Sequence, residues 1–158
     1  MAELFLYIVM GLCVGSFLNV AILRIPKGES INFPSSHCPT CKYPLKWYHN
    51  IPLFSWIALR GKCAFCHNPI SYQYPLIEML TMLLFVVGFY RQESLVQGLI
   101  VATLFALLLA LSLIDLRYKA VPDLLSFPAL FLAFLTYEPL IALQNGLIFM
   151  GAFALLRM

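Results

Sequence analysis

The sequence predicts an all-α polytopic membrane protein of about five transmembrane helices, with a small cytoplasmic, zinc-ribbon-like insert that carries four cysteines. Three observations predict it. Of 158 residues, 62% are hydrophobic and 11% charged, where a soluble domain is roughly half apolar and about a quarter charged. Several apolar runs approach the length needed to cross a bilayer, about 20 residues. The one long polar stretch contains two Cys-x-x-Cys pairs.

The first apolar run, Leu4 to Leu23, is long enough for one helix across a ~30 Å hydrocarbon core. A cleaved signal peptide would have a basic stretch before it and a small-x-small site after it. Only Glu3 precedes this run, and Arg24 and Lys27 follow it. It therefore reads as a retained helix, residues 1–25, with its N-terminus outside. Residues 26–74 change character: they hold four of the five cysteines, all three histidines and six of the ten prolines. No long helical period runs through them. Trp47, Tyr48, Phe54 and Trp56 are candidates for a small core, so the stretch reads as a compact, loop-rich domain. Residues 75–158 return to membrane character. Pro75–Tyr90 and Leu95–Ile114 are separated by a polar turn, 91–94. A polar loop from Asp115 to Asp123 follows. Leu124–Tyr137 and Pro139–Leu156 are two further apolar runs, the first of them short for a span.

The net charge of +3 is too small to suggest a nucleic-acid partner; the distribution of charge carries more. With the insert on the cytoplasmic side, nine of the ten basic residues lie inside and only Arg91 outside. That is a strong positive-inside bias, and it predicts an orientation with the insert in the cytoplasm.

Cys38-Pro-Thr-Cys41 and Cys63-Ala-Phe-Cys66 are separated by 21 residues, close to the usual interval of paired zinc-binding turns. In a reducing compartment thiols stay free to bind metal. Two such turns complete a closed tetrahedral four-thiolate site with no open position for water, so the expected metal is structural zinc. Disulfides and idle thiols are the alternatives. His37, His49 and His67 read as surface or supporting residues, and Cys13 as a small packing residue in a membrane helix.

Within the spans, Gly11-x-x-x-Gly15 followed by Ser16 permits close helix packing. Asn19 should face protein rather than lipid. Glu78, one turn into the second span, calls for a bundle interior, a wet cavity or the headgroups. Asp115 and Asp123 are the only aspartates. Asp115 stands at the inner boundary, where a partly desolvated carboxylate suits acid–base work. Asp123, after Pro122 and before an apolar run, reads at minimum as a helix N-cap.

In order along the chain stand Gly15-Ser-Phe-Leu-Asn-Val20, Arg24-Ile-Pro26, Ser36-His-Cys-Pro-Thr-Cys41, Trp47-Tyr-His-Asn-Ile-Pro-Leu-Phe-Ser-Trp56, Leu59-Arg-Gly-Lys-Cys63, Cys66, Tyr74-Pro-Leu-Ile-Glu78 and Ile114-Asp-Leu-Arg-Tyr-Lys-Ala-Val-Pro-Asp123. Together they resemble the bacterial type IV prepilin peptidases, a family of bifunctional leader peptidases and N-methyltransferases. The resemblance implies an aspartyl protease of the bacterial inner membrane that cleaves the basic leader of type IV prepilins or type II secretion pseudopilins. It also implies methylation of the new N-terminus from S-adenosylmethionine. The four cysteines match the family's zinc motif and Asp115 its first catalytic aspartate; Asp123, Glu78 and Asn19 are supporting candidates. The family's second aspartate lies in Gly-x-Gly-Asp, which this sequence lacks. The expectation is thus half of a protease dyad, in an N-terminal portion, a truncated product or a degenerate member. No Gly-rich fingerprint for S-adenosylmethionine is present. A non-catalytic membrane adaptor with a zinc-binding recognition domain and a methyltransferase-only remnant are the competing readings.

Overall fold

A computed structural model describes residues 1–92 and 94–136. The chain opens with helix α1, Ala2–Arg24. Pro26 then allows only a short 3-10 turn, Ile25–Lys27, which closes on Gly28 in the left-handed region. The insert follows with a second 3-10 turn, Trp47–Asn50, and a five-residue helix α2, Phe54–Ala58. Helix α3, Gln73–Arg91, runs back along α1. Helix α4, Leu95–Tyr118, runs back along α3, and α5, Asp123–Thr136, begins after a four-residue turn.

Three of these helices, α1, α3 and α4, are long and apolar enough to cross a membrane. The described part of α5 is apolar and has 14 residues, about 21 Å at 1.5 Å per residue. The fifth expected run, Pro139–Leu156, lies outside the described residues. Helix α4 also continues through Tyr118, one turn past the expected end at Ile114. Asp115 therefore sits in the last turn of a helix rather than in a loop. Lys119 ends that helix in the left-handed conformation, its N–H bonded to the Asp115 carbonyl at 2.9 Å.

Lipid offers no hydrophobic drive for helices to associate, so small residues that allow close backbone approach decide which faces meet. Gly11 and Gly15 are both buried against α3. A Cβ on Gly11 would stand 2.7 Å from the Met82 Cα, and one on Gly15 2.7 Å from the Glu78 Cα. The expected glycine seam is thus where α1 and α3 touch. A second seam was not anticipated. Gly98, Ala102, Ala106, Ala110 and Ile114 of α4 recur every fourth residue and are all buried. At the far end of the bundle the Tyr7 hydroxyl donates to the Leu95 carbonyl at 2.6 Å. The Tyr7 ring meets Phe85 and Phe89 edge-on. Leu18, Ile22, Ile77 and Ile114 fill the core toward the insert.

Cys13 does not pack between helices as expected: it is exposed, because the Gly11–Gly15 face of α1 points the other way. Substituting Gly15 by Val should destabilise the helix pair by ~1–3 kcal/mol, since a side chain there meets both the buried Thr81 hydroxyl, itself bonded to the Ile77 carbonyl, and the α3 backbone at Glu78. Cys13→Val should stay within about 0.5 kcal/mol. Reversible unfolding in mixed micelles measures both.

Candidate metal centre and its attachment to the membrane helices

Each Cys-x-x-Cys pair is built into a tight hairpin by its own backbone. In the first, the Cys38 N–H bonds the Tyr43 carbonyl at 3.0 Å and the Lys42 N–H bonds the Cys38 carbonyl at 2.9 Å. In the second, the Cys63 N–H bonds the Asn68 carbonyl at 2.9 Å and the His67 N–H bonds the Cys63 carbonyl at 3.1 Å. The residue after the second cysteine takes a positive φ in both, 58° at Lys42 and 56° at His67. One antiparallel bridge closes each hairpin, His37 with Pro44 and Lys62 with Pro69. The two units are copies of one another, displaced by 25 positions. The sequence carries the signal as Cys-x-x-Cys-x-x-Pro followed by Leu45 or Ile70. Among the described residues the insert has these isolated bridges and no longer strand.

The hairpins face one another and bring four thiols together. The sulfurs of Cys38, Cys41, Cys63 and Cys66 all lie within 4.8 Å of one another, with Cys38 and Cys66 at 3.8 Å. A tetrahedral ion with Zn–S near 2.3 Å requires sulfurs roughly 3.8 Å apart, so the donor set fits such an ion. None of the histidines joins the cluster. His37 Nδ1 lies 2.9 Å from the Ser35 carbonyl, and His49 packs edge-on against Phe65. Two of the thiols, Cys38 and Cys66, differ in proton affinity. Burial pushes the Cys38 thiol up, but hydrogen bonds from the Cys41 and Thr40 backbone outweigh it and bring the group down to about 6. Cys66 receives a lowering hydrogen bond from the Asn68 backbone. Burial and the neighbouring thiols of Cys63, Cys41 and Cys38 nevertheless push it up to about 11.

The expected aromatic core of the insert is not formed. Trp47 is 79% exposed and Phe54 67%, and Tyr48 is exposed as well. The converging thiols organise the centre instead, leaving the aromatics to its surface. Only Trp56 acts as a brace: its indole N–H reaches the Ile70 carbonyl at 3.4 Å and its ring packs on Tyr72. It also covers Gly61, whose φ of +68° and contact with the ring both call for glycine.

The insert is fixed to the bundle at Glu78. This residue is 7% exposed and accepts the Leu53 N–H at 2.8 Å, with the Ser16 hydroxyl also facing its carboxyl. Leu53 has φ +60° and ψ −49°, a conformation unfavourable for a branched side chain by ~1–3 kcal/mol. An N–H left there without an acceptor would cost ~1–3 kcal/mol more. Glu78 is therefore what makes this turn tenable. Asn19 is 1% exposed and donates to the Gly15 and Tyr74 carbonyls at 3.2 and 3.1 Å. Its Oδ1 is buried without a partner.

Asp115 and Asp123 are both exposed and flank the turn between α4 and α5. Asp123 is the first residue of α5 rather than its cap: the Leu125 and Ser126 N–H groups bond the Pro122 carbonyl instead. Arg117 turns away from Asp115 and donates to Gln73 at 2.9 Å. Asp115 thus stands at the insert-bearing end of the bundle, near the start of α3. No hydrogen bond among the described residues joins it to Asp123, Asn19 or Glu78.

The profile of the Bacterial Peptidase A24 N-terminal domain matches residues 9–92, from the glycine seam of α1 through the insert to the end of α3. The chain belongs to this family. Curated relatives of this peptidase A24 chain include proteins named prepilin leader peptidase/N-methyltransferase. One from Myxococcus xanthus is 47% identical over 77% of this chain and 36% of its own length. One from Klebsiella pneumoniae is 42% identical over 82% of this chain and 62% of its own length, and one from Vibrio cholerae 30% identical over 96% and 63%. The chain thus spans between about a third and two thirds of these relatives. No solved structure matches.

The latch has a direct test. Glu78→Ala should destabilise the insert by ~1–3 kcal/mol and abolish hydrogen-exchange protection of the Leu53 amide. Glu78→Gln, which keeps an acceptor oxygen, should retain most of both.

Proposed function

We propose that this chain forms part of a prepilin-processing enzyme of the cytoplasmic membrane. It would act on prepilins or pseudopilins, with the insert on the cytoplasmic side. The observation that carries the reading is that Asp115 stands at the end of the bundle that also holds the insert, one turn inside the end of a membrane-length helix. A substrate whose basic leader meets an apolar segment would present its scissile bond at that level. The name shared by the relatives, prepilin leader peptidase/N-methyltransferase, supports the same reading.

In this proposal Asp115 supplies one carboxylate of an aspartyl dyad. Such a pair shares a proton, one member activating water while the other polarises the carbonyl. Gly-x-Gly-Asp, the expected source of the second carboxylate, is not within these 158 residues. Asp123 lies eight positions on, but as the opening residue of α5 it is kept as a supporting group. Asn19 and Glu78 position the insert and the helix pair rather than reacting.

Zinc is the ion proposed for Cys38, Cys41, Cys63 and Cys66. With four thiolates its coordination is closed, so it stabilises the ribbon-like fold and takes no part in the chemistry. S-adenosylmethionine is the expected methyl donor. The all-helical scaffold has no strand-to-helix glycine turn of the nucleotide-binding kind among the described residues, so no residue is assigned to it and no step is derived through it.

Asp115→Asn in the complete gene product, reconstituted with a prepilin in proteoliposomes, should lower leader cleavage by ~10²–10⁴-fold while zinc content stays unchanged. Cleavage at the unsubstituted rate would sink the peptidase role of Asp115. Retention of prepilin capture without any cleavage, in both proteins, would identify a membrane adaptor instead.

Zinc retention should also depend on pH in a defined direction. The Cys38 thiol is held below its ordinary value, so the stabilisation of its thiolate is present at neutral pH and is lost as pH falls through about 6. Chelator competition for zinc should therefore steepen below that point, and Cys63→Ser should lose the ion at neutral pH.

A further inference from the structure

The exposed aromatic segment of the insert has a height relative to the bilayer, and the hydrogen bond to Glu78 sets it. At this end of the bundle the polar boundary is marked by Arg24, the last residue of α1, and by the pair of Gln73 and Arg117 at the start of α3 and the end of α4. Glu78 lies five residues past Gln73, about 7–8 Å further along the helix axis. The Glu78 side chain leans back toward the start of α3, but its carboxyl stays level with Ser16, eight residues before Arg24 on α1, so the Leu53 N–H bonded to it lies below that boundary. The chain around Leu53 is not enclosed there. Ile51 is 41% exposed, Phe54 67% and Ile57 65%. The spacing of three between Phe54 and Ile57 puts both on one face of α2.

The groups just outside this face have the opposite character. Lys46, Arg60 and Lys62 are exposed. The Lys46 ammonium sits 5.8 Å from the centre of the Tyr48 ring, and Trp47 lies beside Tyr48. Exposed aliphatic and phenyl groups beside Leu53, an indole and a phenol at Trp47 and Tyr48, and exposed cations at Lys46, Arg60 and Lys62 are together the side-chain types that a membrane interface accommodates.

We propose that residues 47–57 form an interfacial wedge: Trp47, Ile51, Phe54 and Ile57 insert into the headgroup–acyl boundary of the leaflet on the insert's side, next to α3. The occupant of this apolar surface is lipid, and the argument for it is continuity. The segment is pinned to a membrane helix below its polar end, so lipid already borders it. Interfacial elements settle ~5–10 Å into this boundary, which is the depth that Glu78 imposes. Burial of the Phe54 and Ile57 side chains in lipid offsets the strained backbone at Leu53. The four-thiol hairpins would then rest against the membrane rather than stand free of it. This inference needs only the membrane bundle and does not depend on peptidase activity.

Trp47 and Trp56 are the only tryptophans, which makes the depth measurable. The full chain carrying Trp56→Phe is reconstituted in vesicles of phosphatidylethanolamine and phosphatidylglycerol, with nitroxide lipids labelled near the glycerol or near the chain end. Trp47 fluorescence should be quenched roughly twofold more by the shallow label than by the deep one, and aqueous iodide should quench it weakly. Strong iodide quenching without lipid quenching would put the segment in water and overturn the proposal. Resistance to both quenchers would show that protein covers the segment, and would overturn it equally. If Trp56→Phe loses zinc, the difference between the unsubstituted chain and Trp47→Phe isolates the same signal. Phe54→Glu with Ile57→Glu supplies a second readout. It should make Trp47 at least about twofold more accessible to iodide while zinc content is kept, because the wedge leaves the membrane without disturbing the thiols.

Discussion

The backbone contact between α1 and α3 at Gly11 and Gly15 is the constraint on which the rest of this structure depends. In lipid, two apolar faces gain little by meeting unless they can come close enough for dispersion and polar contacts to add up. Removing two side chains from α1 allows that approach. The same approach brings Asn19 within reach of the Tyr74 carbonyl and buries Glu78 beside Ser16. The Glu78 carboxyl is then available to hold Leu53. A feature of the membrane helices thus sets where the polar insert sits.

The insert is organised by a different principle. It has few buried aliphatic side chains, and its aromatic residues are largely at the surface. Its shape comes from two matching hairpins whose thiols converge, braced by Trp56 over Gly61. A small segment with so little core needs a crosslink of some kind, and four thiols within 4.8 Å provide the place for one. The bundle and the insert therefore have separate sources of stability, joined at Leu53, Glu78 and the Trp56–Tyr72 contact.

Much of this was legible in the sequence. The three long spans, the glycine seam and the paired cysteines were all readable, because each is a local pattern with a direct physical meaning. The alanine seam of α4 was overlooked although Gly98, Ala102, Ala106 and Ala110 are evenly spaced; in a helix this apolar, small residues attract less notice than glycines. Tyr7 was overlooked because an aromatic near a helix end suggests the membrane surface, whereas here its hydroxyl closes a contact with Leu95. The aromatics of 47–56 were misplaced by reasoning suited to soluble domains, where aromatic means core. For Glu78 the sequence leaves the bundle interior, a wet cavity and the headgroups all open, and nothing local marks the Leu53 amide as a donor in need of its carboxyl. Asp115 was placed near the right end of the right helix, yet its chemical surroundings cannot be read from its neighbours in the chain.

The bond between Asn19 and Tyr74 spans 55 positions of chain, and that separation has a consequence for biosynthesis. Helix α1 cannot find its partner until the whole insert has left the ribosome. Closing a flexible loop of that length carries an entropic cost that grows with the logarithm of its length. An insert that has already condensed around its thiols presents a much shorter effective tether, with its two ends held near one another. The order of events then favours the hairpins first and the helix pair second. The polar segment in this view is a folding jig for the membrane domain, determining when the glycine seam can close as well as what hangs from it.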